Sequence, residues 1–292
     1  MKRILITGAR GFIGRNLYDF LSSRQKLFVP GHQELDFTDG EKVSDYILQN
    51  RIQVVINCAV TNNFELNLRM FFNIYRCRDI VEKVIHFGSG AEYDKARDIV
   101  RINESEFGKR IPKDNYGFYK YICSQFILGS ENMVCLRLFG VYGKYEDYLF
   151  KFISNAIVKN LLHMEIVIGQ NVYFDYLYIN DLMKITEYFI NHISYYRDYN
   201  AVTGERVDLI RIANIINEAG NFKSKIVIRN PGMNREYTAD NTRLKNEINF
   251  LEFTPIKTAI GEIYKWYKDN LTLIDKKRIK EDLYLTQLKI KK

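Results

Sequence analysis

Metal-ligand and disulfide spacings are missing from this sequence. Its cysteines, Cys58, Cys77, Cys123 and Cys135, form no C-x-x-C pair, and its histidines, His32, His86, His163 and His192, are equally scattered. That pattern offers no metal site and fits a disulfide framework poorly, so the thiols are expected to be buried and reduced. No run of eighteen apolar residues is present to span a membrane. No secretory leader is expected ahead of the fold either: Lys2 and Arg3 run straight into Ile4-Leu5-Ile6, which reads as a first strand, and a cytoplasmic location follows as an expectation. Repeats, low-complexity segments and Pro/Gly/Ser-rich linkers are also absent, so one domain with an appendage is expected.

A basic stripe is lacking as well. The formal net charge is +8, but seven basic residues against two acidic ones in residues 276–292 carry +5 of it, leaving +3 for the body. A mild excess suits anionic small molecules and excludes the continuous basic face that nucleic acid needs. The tail itself, residues 275–292, reads as a solvated helix end or a contact for an acidic surface.

What the sequence does contain is alternation. Strands are expected over 4–7, 26–29, 54–58, 84–88 and 133–138, and helices over 12–23, 43–49, 66–81 and 116–129. This is the repeated βα pattern of a doubly wound α/β parallel sheet. After residue 143 the rhythm loosens, with a helix near 149–161, a strand near 165–168 and helices at 180–192 and 209–219. Residues 1–143 are therefore expected to form the dinucleotide-binding core, and 144–274 a smaller substrate lobe interleaved with it.

Between the first strand and first helix lies Thr7-Gly8-Ala9-Arg10-Gly11-Phe12-Ile13-Gly14. Glycines at G-x-x-G-x-x-G spacing permit a tight turn, close approach of backbone to a pyrophosphate, and close helix packing. The helix start then aims its free N–H groups at the phosphates. A nicotinamide dinucleotide is the expected ligand. The second strand ends in Phe28-Val29-Pro30-Gly31-His32, with no acid to bond a ribose 2′-hydroxyl, while Arg10 can meet a 2′-phosphate. NADP is therefore favoured over NAD. Asp36 is expected at the next strand's end, accepting from the adenine amino group.

Tyr116 and Lys120 stand four apart on an expected helix and share one face. An ammonium beside a phenol stabilises the phenolate, so Tyr116 can exchange a proton during hydride transfer. Ser89 follows the fourth strand, at the carboxyl end where open α/β sheets bind ligands. Glycine turn, strand-end serine and helical Tyr/Lys occur in that order, and together the set resembles the extended short-chain dehydrogenase/reductase family. Further matches are Asn57-Cys58-Ala59, Asn67, the segment from Leu136-Arg137-Leu138 to Gly143, the segment from Phe174-Asp175 to Leu182, and Ala239-Asp240-Asn241.

The resemblance implies a Rossmann-like fold and a nucleotide-sugar substrate. It assigns Ser89 to the substrate oxygen, Tyr116 as acid/base, Lys120 to the nicotinamide ribose, Asn67 to a proton relay, and Gly8, Arg10, Gly11, Phe12, Ile13, Gly14, Asp36, Cys58, Ala59 and Leu138 to the cofactor. A homodimer is implied too. The dehydratases' Asp-Glu pair is replaced here by Gly90-Ala91, with Glu92 one position late, and the cysteine of GDP-fucose synthase relatives is Ala91. Dehydration and double epimerisation are therefore not expected.

Phe174 replaces an arginine that grips diphosphate in the family, and Gly140 an asparagine; Arg206 or Arg229 could supply the lost charge. The expected function is a 4-keto-sugar reductase. A 4-epimerase with tightly bound NAD is the alternative, and a non-catalytic dinucleotide sensor stands third, disfavoured by the intact Ser89, Tyr116 and Lys120.

Overall fold

The computed structural model describes residues 1–286. The first half runs β1 (Arg3–Thr7), α1 (Phe12–Leu21), β2 (Lys26–Phe28), α2 (Gly40–Gln49), β3 (Val54–Asn57), α3 (Phe64–Arg76), β4 (Lys83–Ser89), β5 (Ile99–Ile102), α4 (Asn115–Leu128) and β6 (Met133–Leu138). The second continues with β7 (Gly140–Tyr142), α5 (Phe152–Leu161), β8 (Ile166–Asn171), β9 (Tyr173–Phe174), β10 (Tyr176–Tyr178), α6 (Ile179–Asn191) and β11 (Asp198–Ala201). Then come β12 (Val207–Asp208), α7 (Leu209–Ala219), β13 (Ile226–Met233), β14 (Tyr237–Ala239), α8 (Thr242–Glu247), α9 (Ile256–Asp269) and the single turn α10 (Leu283–Thr286).

Six parallel strands form the central sheet in the order β11-β6-β4-β3-β1-β2. Its inner strands are mostly apolar because both faces are covered, and the buried charges Arg137 of β6 and Asp198 of β11 pair with each other. Successive residues of β1 enter different cores: Ile4 and Ile6 pack with Leu17 and Leu21 of α1 and Leu182 of α6. Leu5 packs with Val43 of α2, Met70 of α3 and Cys123 of α4. Burying each such side chain contributes about 1.5–3 kcal/mol. The chain leaves β1 for β2 on one side and returns to β3 on the other, which opens a crevice above the carboxyl ends of β1 and β3.

The interleaving expected of the second half takes a definite form. β11 joins the central sheet beside β6, whereas β5 from the first half joins a four-stranded sheet ordered β12-β9-β14-β5. β8 pairs with β13, and α5, α7 and α9 pack around the same apolar cluster.

Three sequence expectations are corrected. No strand forms between β2 and α2, so Asp36 sits at no strand end. It is exposed in a turn, its Oδ1 accepting from the Thr38 N–H and hydroxyl at 2.8 Å each, while Asp39 already caps α2. These turn bonds, the backbone one first, hold the Asp36 carboxyl below its ordinary pKa. The helix expected over 66–81 stops at Arg76 and gives way to a 3₁₀ turn at Arg78–Ile80. Much of the tail is not a solvated end: Ile279 and Tyr284 are buried in the main core, Tyr284 against Phe152 at 5.7 Å, and Lys159 pairs with Asp282. Lys276, Lys277, Arg278 and Lys280 remain exposed, and Lys289, Lys291 and Lys292 lie outside the described residues. Three of the four free cysteines are buried, and Cys58 is half-buried. Among the described residues no helix is long and apolar enough to cross a membrane.

Candidate active site

Gly8 adopts φ +64°, and a Cβ there would lie 2.9 Å from the Ala59 Cα. Its close approach brings the first glycine turn against Cys58 and Ala59 after β3. A Cβ on Gly14 would meet the Gly8 carbonyl at 2.4 Å, so α1 can begin this near β1 only with glycine. Gly11 caps α1 with no side-chain bond, whereas Asp39, Asn63 and Asp114 cap α2, α3 and α4. The first N–H groups of α1, from Phe12, Ile13 and Gly14, are thus left for an anion. Arg10 reaches across to the end of β2, where a Cβ on Gly31 would come within 3.2 Å of its Nη2.

The floor of the crevice is a polar chain across three strands, β1, β3 and β4. The Thr7 hydroxyl donates to Asn57 Oδ1 at 2.9 Å and accepts from the Cys58 and Ala59 N–H groups, and Asn57 Nδ2 meets His86 Nδ1 at 3.1 Å. Burial, and then the nearby Lys120, hold His86 well below its ordinary pKa, so it is neutral. Burial likewise pushes the Cys58 thiol up, against Lys120.

Ser89 ends β4, 5% exposed, in register with Leu138 of β6. Tyr116 and Lys120 rise from the start of α4, which Asp114 caps through the Gly117 N–H at 2.9 Å. Tyr116 is 44% exposed, whereas Lys120 is buried and donates to the Phe87 carbonyl. Burial works against the Lys120 charge, but the Tyr119 and Tyr116 phenols outweigh it and its pKa lies above the lysine norm. A hydroxyl at the carboxyl end of β4 is thus accompanied by an accessible phenol and a fixed ammonium on the helix bonded to that strand, groups suited to proton exchange at a carbonyl or alcohol oxygen.

Gly90 is walled in. A Cβ on it would lie 2.5 Å from the Phe139 ring and 2.6 Å from the Tyr237 hydroxyl. Glu92 is buried: its Oε1 accepts from the Ser89 N–H at 2.8 Å in a capping box, and its Oε2 pairs with the buried Arg137 at 2.6 Å. It braces Ser89 and holds no carboxylate toward the crevice. Sequence reasoning missed this brace, although Ser89-x-x-Glu92 is a legible capping-box pattern.

Arg206 pairs with Glu236 at 2.6 Å and stacks on Tyr173 at 3.5 Å. Arg229 is exposed on β13. Asn67 spends its amide on Thr61, accepting from its N–H and hydroxyl and donating to its carbonyl. Phe174 packs against Tyr176 and Tyr237, and a Cβ on Gly140 would lie 2.9 Å from the Tyr176 ring, which fills the space a larger residue would need. The neighbouring Asp175 is raised to about 6 by burial although Thr203 and Gly204 donate to it. Among the described residues no cluster of three His, Cys, Asp or Glu is arranged to hold a metal.

A model of the NAD dependent epimerase/dehydratase family matches residues 4–201, from β1 through the edge strand β11. The chain belongs to this family. Its sequence is 23% identical over 261 residues to ADP-L-glycero-D-manno-heptose-6-epimerase of Brachyspira hyodysenteriae, covering 74% of this chain and 80% of that one. The fold superposes on a GDP-L-fucose synthetase of Naegleria fowleri bound to NADP, with TM-score 0.81, 17% identity, and 94% and 96% of the two chains covered. It also superposes on the GDP-mannoheptose C4 reductase of Campylobacter jejuni with NADP bound, with TM-score 0.77, 20% identity, and 91% and 98% covered. The likeness to extended short-chain dehydrogenases/reductases read from Gly8, Ser89, Tyr116 and Lys120 is thus borne out at the level of family and fold.

Proposed function

We propose that this protein is an NADP-preferring oxidoreductase that reduces a keto group of a nucleotide-linked sugar. The observation that supports the reading is that Lys120, one turn from Tyr116 on α4, is tied to the Phe87 carbonyl of β4, the strand that ends in Ser89. Ser89 donates a hydrogen bond to the carbonyl oxygen and stabilises the charge that develops there. Tyr116 delivers its proton to that oxygen, and the Lys120 ammonium favours the phenolate left behind. Gly8, Gly11, Phe12, Ile13 and Gly14 hold the pyrophosphate, with Cys58, Ala59 and Leu138 along the crevice. NADPH, when bound, supplies the hydride.

Arg10 supports the cofactor preference, because its guanidinium lies over Gly31 at the end of β2, where an acid would otherwise select NAD. Gly90 supports reduction over dehydration: the Phe139 ring and Tyr237 hydroxyl occupy the volume an acidic side chain there would need. The test is cofactor stoichiometry. A reductase consumes one NADPH per keto-sugar, whereas a 4-epimerase gives product with no net cofactor change, and that result would replace this reading with the alternative.

The expected homodimer is a further proposal, as is the cytoplasmic location. Leu66 of α3 and Phe118 and Phe126 of α4 are each exposed by 37–43% on neighbouring helices, apolar surface suited to a second copy. Sedimentation that finds a monomer at micromolar concentration would remove it.

A further inference from the structure

Tyr237 on β14 has entered so far only as part of the wall around Gly90, yet its phenol also faces Ser89. The residue is 7% exposed, and its hydroxyl is shut off from solvent with no hydrogen bond of good geometry. That oxygen presses on Gly90, and the groups facing it are Ser89, Tyr116, Glu92 and Asp114. The ring is held between Phe139 at 4.6 Å and Phe174 at 5.9 Å, with the Lys95 ammonium 4.8 Å above it. A buried hydroxyl left unpaired costs about 1–3 kcal/mol, and phenylalanine would fill the same volume without that cost. The hydroxyl is thus retained, where phenylalanine would pack, at the very point where it faces Ser89.

Hydrogen-bond accounting names its partner. Glu92 has one oxygen engaged by the Ser89 N–H and the other by Arg137. Ser89 Oγ accepts from the Ala91 N–H at 3.2 Å, which leaves it one lone pair and one proton. We propose that Tyr237 is a positioning residue: its phenol donates to the remaining lone pair of Ser89 Oγ, so that the serine's only proton points at the substrate's reacting oxygen. The proposal rests on the role given to Ser89 above. It also explains why the wall beside Gly90 contains a tyrosine where packing alone asks for a phenylalanine.

The experiment is a double-mutant cycle in the full chain, assayed with NADPH and a GDP- or dTDP-linked 4-keto-6-deoxyhexose. Tyr237→Phe is expected to lower kcat about tenfold, a loss of roughly one charge-supported hydrogen bond. KM and the NADPH dissociation constant stay in place, and the melting temperature holds or rises. Ser89→Ala loses more, and the double variant equals Ser89→Ala, because Tyr237 acts only through that hydroxyl. Losses that multiply in the double variant, or a Tyr237→Phe enzyme as fast as the parent beside an impaired Ser89→Ala, overturn the proposal alone. A Ser89→Ala enzyme that keeps full activity overturns the reading of Ser89 as well.

Discussion

The two walls of the crevice are made differently. The wall proposed for the cofactor is mostly local in sequence: residues 7–14 close on themselves, and Cys58, Ala59, Lys120 and Leu138 join them from elsewhere. The wall proposed for the substrate is assembled from Gly90, Phe139, Phe174 and Tyr237, which four separate segments bring into contact. Phosphate binding asks for exposed backbone N–H groups in a turn, a local property. A sugar pocket asks for shaped side-chain volume, which has no local grammar.

Replacing one atom on each wall tests that contrast, and the largest effect is expected on the chemistry between them. Tyr116→Phe should lower kcat by about 10²–10⁴-fold with cofactor affinity retained, read by single-turnover NADPH oxidation; full activity would remove Tyr116 from the mechanism. Behind the glycine turn, burial raises Glu146 to about 7, despite a hydrogen bond from Ser154. The folded protein keeps this proton between the ordinary carboxyl pKa of 4.5 and about 7, where the unfolded chain releases it. Stability therefore falls as pH rises through that window, by up to about 3 kcal/mol. Glu146→Gln should flatten that part of the melting-temperature profile, leaving the smaller fall contributed by Asp175; an unchanged profile would contradict the assignment.

On the cofactor wall, Gly14→Ala forces a Cβ to 2.4 Å from the Gly8 carbonyl. It should cost about 1–3 kcal/mol in chemical denaturation and weaken dinucleotide binding with it. The smallest effect is the most selective: Arg10→Ala should weaken NADPH about tenfold and leave NADH unchanged, checked by calorimetric titration. Equal losses for both cofactors would make Arg10 a general phosphate contact.

Legibility in the sequence followed the same division. Residues 209–219 were expected as a helix and form α7 with those bounds, and β6 matches 133–138 as read. The strands β5, β12 and β14 escaped notice because two- to four-residue strands carry no usable period, whereas the helix Ile256–Asp269 was missed although Ile256, Ile260, Ile263 and Tyr267 recur at helical spacing. Asp36 misled because its β-like neighbours, Leu35 and Phe37, are buried by a turn rather than a strand. Glu92 was given no role beyond standing one position late, yet its burial against Arg137 makes it a brace, and burial cannot be read from one residue's identity.

By itself the sequence determined the βα alternation, the glycine turn and the Tyr116/Lys120 pairing, since each depends on spacing within a few residues and on the 3.6- and 2-residue periods of the backbone. Only the tertiary structure decided that β11 would complete the first sheet, that Arg206 would be tied to Glu236, and that Tyr237 would close over Gly90 beside Ser89. These contacts join residues far apart along the chain, and what selects them is the volume and charge left open once the two cores have packed.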